Sequence, residues 1–208
     1  MRNSNFTEKE SLELISNMIQ QTKQQFQVGS GNMFLYYGYT AVVISIAVYF
    51  LCQFTHQWYW HNLWLLMFVP AIAEKVTQKK RRPAVVTYID KAVSKVWMVI
   101  NTLCIITLLT IVGIGLFTKA IPLILMLPLA LLYAGIGTAC TGVITNEKSM
   151  TYFPIVSFII GIYMLVTLSI GGVPSLLWNL LGGLAFLTML VIPGYILNRK
   201  SLKQCSKN

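Results

Sequence analysis

Apolar and polar residues do not alternate finely along this chain; they come in long blocks. A polar opening of some thirty residues gives way to six apolar runs separated by short polar segments. The runs cover about 33–54, 58–73, 96–117, 121–144, 152–170 and 176–197. About twenty apolar residues of α-helix cross the hydrocarbon layer of a bilayer. In lipid, every backbone N–H and C=O must find its partner within the segment, which a helix alone achieves without a closed barrel. The pattern therefore predicts an all-α, polytopic membrane protein. Residues 32–198 form a six-transmembrane-helix bundle, residues 1–31 a cytoplasmic amphipathic helix and hinge, and 199–208 a basic tail. The second run has a short uncharged core, so Trp58 and Trp60 are expected within the headgroup layer.

The opening segment has a period of its own. Thr7 followed by Glu10 is a capping-box pattern, with Glu8 and Glu10 suited to the positive end of a helix dipole. Leu12, Ile15, Ile19 and Phe26 then recur at helical spacing, with Thr22 completing the stripe. Gly29-Ser30-Gly31 ends the helix. A second amphipathic stretch follows Pro83, where Val86, Ile89, Val93 and Val96 share one side. It either lies in the interface or extends the third span inward.

Charge then orients the bundle. With the N-terminus cytoplasmic, fifteen of the sixteen Lys and Arg residues fall on the cytoplasmic side and only Lys119 outside. Lys79, Lys80, Arg81 and Arg82 stop the second span, and Arg199 and Lys200 anchor the last. Such a bias in short loops sets topology, with both termini inside. The expected location is a bacterial inner membrane. No short apolar core with a cleavage site precedes Met33, so the first span is expected to act as its own uncleaved signal.

Composition narrows the function. Apolar residues make up 56% of the chain and charged residues 11%, too few to dissolve a globular domain. The net charge of +10 is accounted for by the topogenic bias, so no nucleic-acid partner is expected. Cys52, Cys104, Cys140 and Cys205 have no CxxC pairing and read as small buried hydrophobes. No ionisable residue lies deep in a predicted span, which argues against proton-coupled carriage. GxSxG and HExxH motifs are missing, so neither an enzyme nor a metal or other cofactor is expected. His56 and His61 read with Trp58, Tyr59 and Trp60 as an aromatic interface belt.

Several residues within the runs bear on packing. Gly135, Thr138 and Gly142 belong to a stripe of small residues in the fourth run, where helix backbones approach closely. Its expected use is a seam inside the monomer, with Gly182-Gly183 as a candidate partner surface; a homo-oligomer interface is the alternative. Pro70, Pro128 and Pro193 interrupt outward-to-inward spans. Asn101 and Asn179 are the amides within spans, expected to bond between helices.

The stretches SLELISNMIQQTKQQF and GSGNMFLYYGYTAVV, followed by the KKRRP stop, resemble a family of small, uncharacterised six-span inner-membrane proteins from Bacteroidota-type bacteria. The resemblance implies a topology and no activity. The order of parts is also similar to that of ABC-2-type transporter permeases, in which cytoplasmic helices at the places of 7–28 and 84–95 dock on an ATPase. The loop between the fifth and sixth runs is too short for the re-entrant element of those permeases. The leading expectation is a non-enzymatic sensor, regulatory or scaffold subunit, in contact with membrane lipids. It would bind a cytoplasmic ATPase or regulator through Leu12, Ile15, Ile19 and Phe26. A transporter subunit is the alternative.

Overall fold

A computed structural model describes residues 31–70, 88–118 and 123–205, together with Glu13, which is helical and exposed. The described residues are helical and carry no strand. The elements are α1 (Asn32–Thr55), a 3₁₀ stretch (Trp58–Phe68), α2 (Tyr88–Thr118), α3 (Met126–Thr145), a short α4 (Lys148–Tyr152) and α5 (Pro154–Ser169). The chain closes with α6 (Leu177–Phe186), a π turn (Leu187–Val191) and α7 (Ile192–Cys205). Among the described residues, five stretches are long and apolar enough to cross a membrane: Asn32–Thr55, Lys91–Thr118, Leu123–Thr145, Lys148–Ser169 and Leu177–Lys200. The protein is a multi-pass membrane protein.

The stretch expected as the second span departs from the α-helix its apolar run predicts. Trp58–Phe68 winds as a 3₁₀ helix, and residues 71–73 of that span lie outside the described residues. Residues 88–95 of the second amphipathic stretch continue unbroken into the third span, so this part extends the span. The last span is interrupted just ahead of Pro193. That residue lacks the N–H the Met189 carbonyl would accept, and its ring crowds the same carbonyl. The preceding turn is correspondingly widened to π. Pro128, in contrast, sits in the first turn of α3 and interrupts nothing in that helix, because helix N-termini leave their first N–H groups unpaired anyway. Pro154 opens α5 in the same way.

Between-helix turns use residues that tolerate a left-handed backbone. His56 (φ 53°) closes α1 and Asn146 (φ 56°) closes α3, whose terminal carbonyls accept the Asn146 and Glu147 N–H groups. These turns alternate the helix direction. Asn32, Glu147 and Lys200 consequently meet at one end of the bundle, where Asn198 donates to the Asn32 carboxamide at 2.6 Å and Lys200 pairs with Glu147.

The last span is the centre of the bundle: 50% of its most apolar window is buried, against 17% for α2. Trp178, Ala185, Phe186, Met189 and Leu190 pack there with Ala41, Leu131 and Met164. Lipid tails are as apolar as leucine, so this packing rests on shape and hydrogen bonds rather than on escape from water. Phe117 (92% exposed), Leu116 and Leu109 on α2 face outward, as lipid-facing side chains do. The α1–α6 contact depends on Gly183, where an added Cβ would stand 2.7 Å from that of Ser45. Gly142 serves the α3–α4 turn similarly, since a Cβ there would lie 2.5 Å from the Thr151 nitrogen.

Candidate functional site

Two neighbouring features of the bundle carry polar chemistry: a hydrogen-bonded cluster around Asn179 and an aromatic cavity beside it. Asn179 lies in the first turn of α6 and is 2% exposed. Its Oδ1 accepts the Trp64 indole N–H at 3.1 Å. Its Nδ2 faces the His61 Nε2 at 3.3 Å and the Leu176 carbonyl at 3.3 Å, and its backbone carbonyl accepts the Ser45 hydroxyl at 2.6 Å. Three parts of the chain, α1, the 3₁₀ stretch and α6, are joined through this one residue.

The donors in the cluster fix how its amide is turned. An indole N–H only donates, so the Trp64 partner must be the Asn179 oxygen, which leaves the NH₂ group toward His61. His61 Nε2 therefore accepts from that group, which leaves Nδ1 on the far side of the ring. That nitrogen lies 3.7 Å from Cys52 Sγ, whose thiol reaches the Gln57 carbonyl at 3.5 Å. These contacts run from Asn179 through His61 and Cys52 to the end of α1. His61 is thus bonded into the bundle and half-buried, beyond the interface-belt role expected for it; His56 is exposed.

The cavity measures 180 Å³ and is walled by the 3₁₀ stretch, α1, α2, α3 and α6. Trp64, Trp97, Trp178, Tyr133 and Phe186 supply its aromatic surface. His61, Asn62, Ser175 and Tyr37 also line it. None of the described lining residues carries a formal charge when His61 is neutral. The walls are braced by hydrogen bonds to residues outside the lining. Trp97 Nε1 donates to Thr141 at 3.2 Å, and the Tyr133 and Thr107 hydroxyls bond at 2.8 Å. Phe34 meets Trp97 edge-on at 5.8 Å, tying α1 to α2.

Asn101 lines this cavity from α2 and is exposed. Among the described residues, none hydrogen-bonds its carboxamide, so the interhelical bond expected of Asn101 is absent there while Asn179 makes several. Cys104, one turn on, lines the same wall.

The small residues of the fourth run are divided among several neighbours. Gly135 faces the Phe158 ring on α5, with 3.3 Å from an ideal Cβ to its Cζ, and Gly142 faces the start of α4. Thr138 is buried and bonds back to the Ala134 carbonyl at 2.8 Å. Gly182 approaches Leu127 of α3, with 3.0 Å from an ideal Cβ, whereas Gly183 faces α1. The two glycine pairs are therefore not one face-to-face seam, because adjacent residues on α6 point about 100° apart. Arg199 and Lys200 are exposed midway along α7. Leu12, Ile15, Ile19 and Phe26, and the anchors Lys79, Lys80, Arg81 and Arg82, lie outside the described residues. So does Lys119.

The cavity itself left no mark in the sequence. The signal available was the pair of mid-run amides, Asn101 and Asn179, whose polarity sits oddly in apolar runs. Comparison with protein-family models, with curated proteins and with solved structures returns no match for this chain.

Proposed function

We propose that this chain is a non-enzymatic sensor or regulatory subunit of a bacterial inner membrane, in which an intramembrane ligand cavity is linked to a cytoplasmic partner. In this reading Trp58–Ala73 completes a six-span bundle, with both termini cytoplasmic. The observation that carries it is the cavity. Concave, largely apolar sites with a few placed polar groups are the usual form of small-molecule sites, often between helices of bundles. The polar groups around it are neutral amides, indoles, hydroxyls and an imidazole, suited to binding rather than to moving charge.

The orientation rests on the fifteen-to-one distribution of basic residues. The partner site rests on the stripe of Leu12, Ile15, Ile19 and Phe26. Residues 7–28 carry three Glu against two Lys, which gives little attraction to an anionic bilayer, while the apolar stripe still requires burial. The test is recovery of partners from native membranes with Ile15→Glu plus Ile19→Glu. Membrane insertion stays intact and partner recovery is lost. Unchanged recovery, with tight binding of the 7–28 peptide to anionic vesicles, would refute the partner site.

A second reading, a transport subunit, draws on the same cavity, which is walled by four helices and the 3₁₀ stretch. Uptake of a cavity ligand into vesicles, driven by ATP with a co-purified ATPase, would favour that reading.

A further inference from the structure

Asn101 differs from most of the polar groups around the cavity in that no described residue hydrogen-bonds its side chain, a lack it shares with the Trp178 indole and the Asn62 carboxamide. Asn179 is occupied by Trp64, His61 and Leu176; Tyr133 is held by Thr107; Trp97 is held by Thr141. Asn62 is exposed on the 3₁₀ stretch. Asn101 stands six residues, about 9 Å of helix rise, beyond Lys95, which is the last charged residue of α2. An amide at that depth has no bulk water to turn to, and leaving its donor and acceptor unused is unfavourable by a few kcal/mol at most. A helix in lipid normally places such a group against a neighbouring helix. Here it lines an aromatic cavity.

Two further observations define what would meet it. No described lining residue offers a formal charge to balance an ionic group, so the complement is neutral. The volume of 180 Å³ compares with the ~150 Å³ of an apolar cavity that admits benzene, which is room for one ring and not for a whole lipid. Resting on the ligand-cavity reading above, we propose that this site binds a neutral, ring-sized group bearing a hydroxyl or carbonyl oxygen, hydrogen-bonded to Asn101 and stacked among Trp64, Trp97 and Trp178. A bilayer-soluble molecule with such a head group would enter from the lipid side, where Asn101 is exposed.

The cavity supplies its own reporters, since three of the five tryptophans line it. The experiment is quenching of tryptophan fluorescence in the purified full-length protein in neutral detergent. The probes are 4-bromophenol, bromobenzene and 4-bromobenzenesulfonate. 4-Bromophenol quenches saturably, and Asn101→Leu raises its half-saturation about tenfold, the equivalent of one hydrogen bond in a site without water. Bromobenzene, which has no oxygen, is indifferent to that change. Ala130→Phe, which fills the lumen, removes the saturable component for both. Equal half-saturation of 4-bromophenol in wild type and Asn101→Leu overturns the proposal, as does saturation by the sulfonate at the same concentration. Either failure concerns the ligand class alone; loss of partner recovery through residues 7–28 is read separately.

Discussion

The indole of Trp64 decides which way round the Asn179 carboxamide lies. Because the indole can only donate, its 3.1 Å bond claims the amide oxygen and turns the NH₂ toward His61. A residue of the 3₁₀ stretch thereby sets the group that faces a histidine six ångströms of sequence rise away, and a residue 115 positions later in the chain transmits the choice.

This dependence predicts the effect of removing the amide. Asn179→Leu leaves the Trp64 N–H without its acceptor and removes the donor to His61. Hydrogen bonds between membrane helices are worth about 0.6 kcal/mol on average, with well-buried ones nearer 2. Asn179→Leu should therefore destabilise by about 1–2 kcal/mol, a fall in Tm of roughly 3–6 °C in neutral detergent. Trp64→Phe should reproduce part of it. A double mutant showing the full sum of the two losses would mean that the residues do not act together.

Glycine positions give a contrast within one experiment. Gly142→Ala pushes a methyl to within 2.5 Å of the Thr151 backbone nitrogen, and overpacking of that kind costs about 1–3 kcal/mol. At Gly113 no atom lies within 4 Å of an added Cβ. Gly113→Ala should be neutral or stabilising by up to about 1 kcal/mol, through helix propensity alone. Thermal unfolding of both variants separates close helix approach from a general intolerance of substitution.

The Lys200–Glu147 pair joins α7 to the start of α4, but Lys200 is 56% exposed on its side chain. Exposed pairs contribute about 0–1 kcal/mol and weaken with salt. Lys200→Ala should shift Tm by no more than about 2 °C at low ionic strength, and by less in 1 M salt. A large, salt-independent loss would show that the lysine acts through its stem rather than its charge.

Orientation is tested by labelling. A cysteine placed at Thr118 should react with an impermeant thiol reagent in intact cells, whereas native Cys205 should react only after lysis. Thr118 ends α2 and Cys205 ends α7, so the two sit on opposite ends of the bundle. The reverse labelling pattern would invert the topology.

The spans that sequence reading located best are those whose apolar run and helix coincide. The first, expected over 33–54, runs Asn32–Thr55, and the last, expected from 176, starts at Leu177. The helix leading into α5 begins at Lys148, four residues before the expected 152, because Lys148 and Ser149 are too polar to register as part of an apolar run. Hydropathy reports the solvent a segment prefers, not its winding. Trp58–Phe68 has the composition of a membrane α-helix and the hydrogen-bond spacing of another. Asn179 could be singled out as an amide in an apolar run. Its link to His61, 118 positions away, depends on which faces the folded helices turn to one another. No local pattern encodes that, nor the cavity that results.

The 3₁₀ stretch has a consequence in length. At about 2.0 Å per residue its eleven residues extend roughly 22 Å, where an α-helix of the same residues would extend about 16 Å. Tight winding thus lengthens a short apolar segment by about a third over its α-helical form. Its ends would draw together by about 6 Å on conversion to α, with His61 and Trp64 rotating relative to Asn179 as the pitch changed. The pitch of this one stretch therefore bears on the same hydrogen bonds that border the cavity.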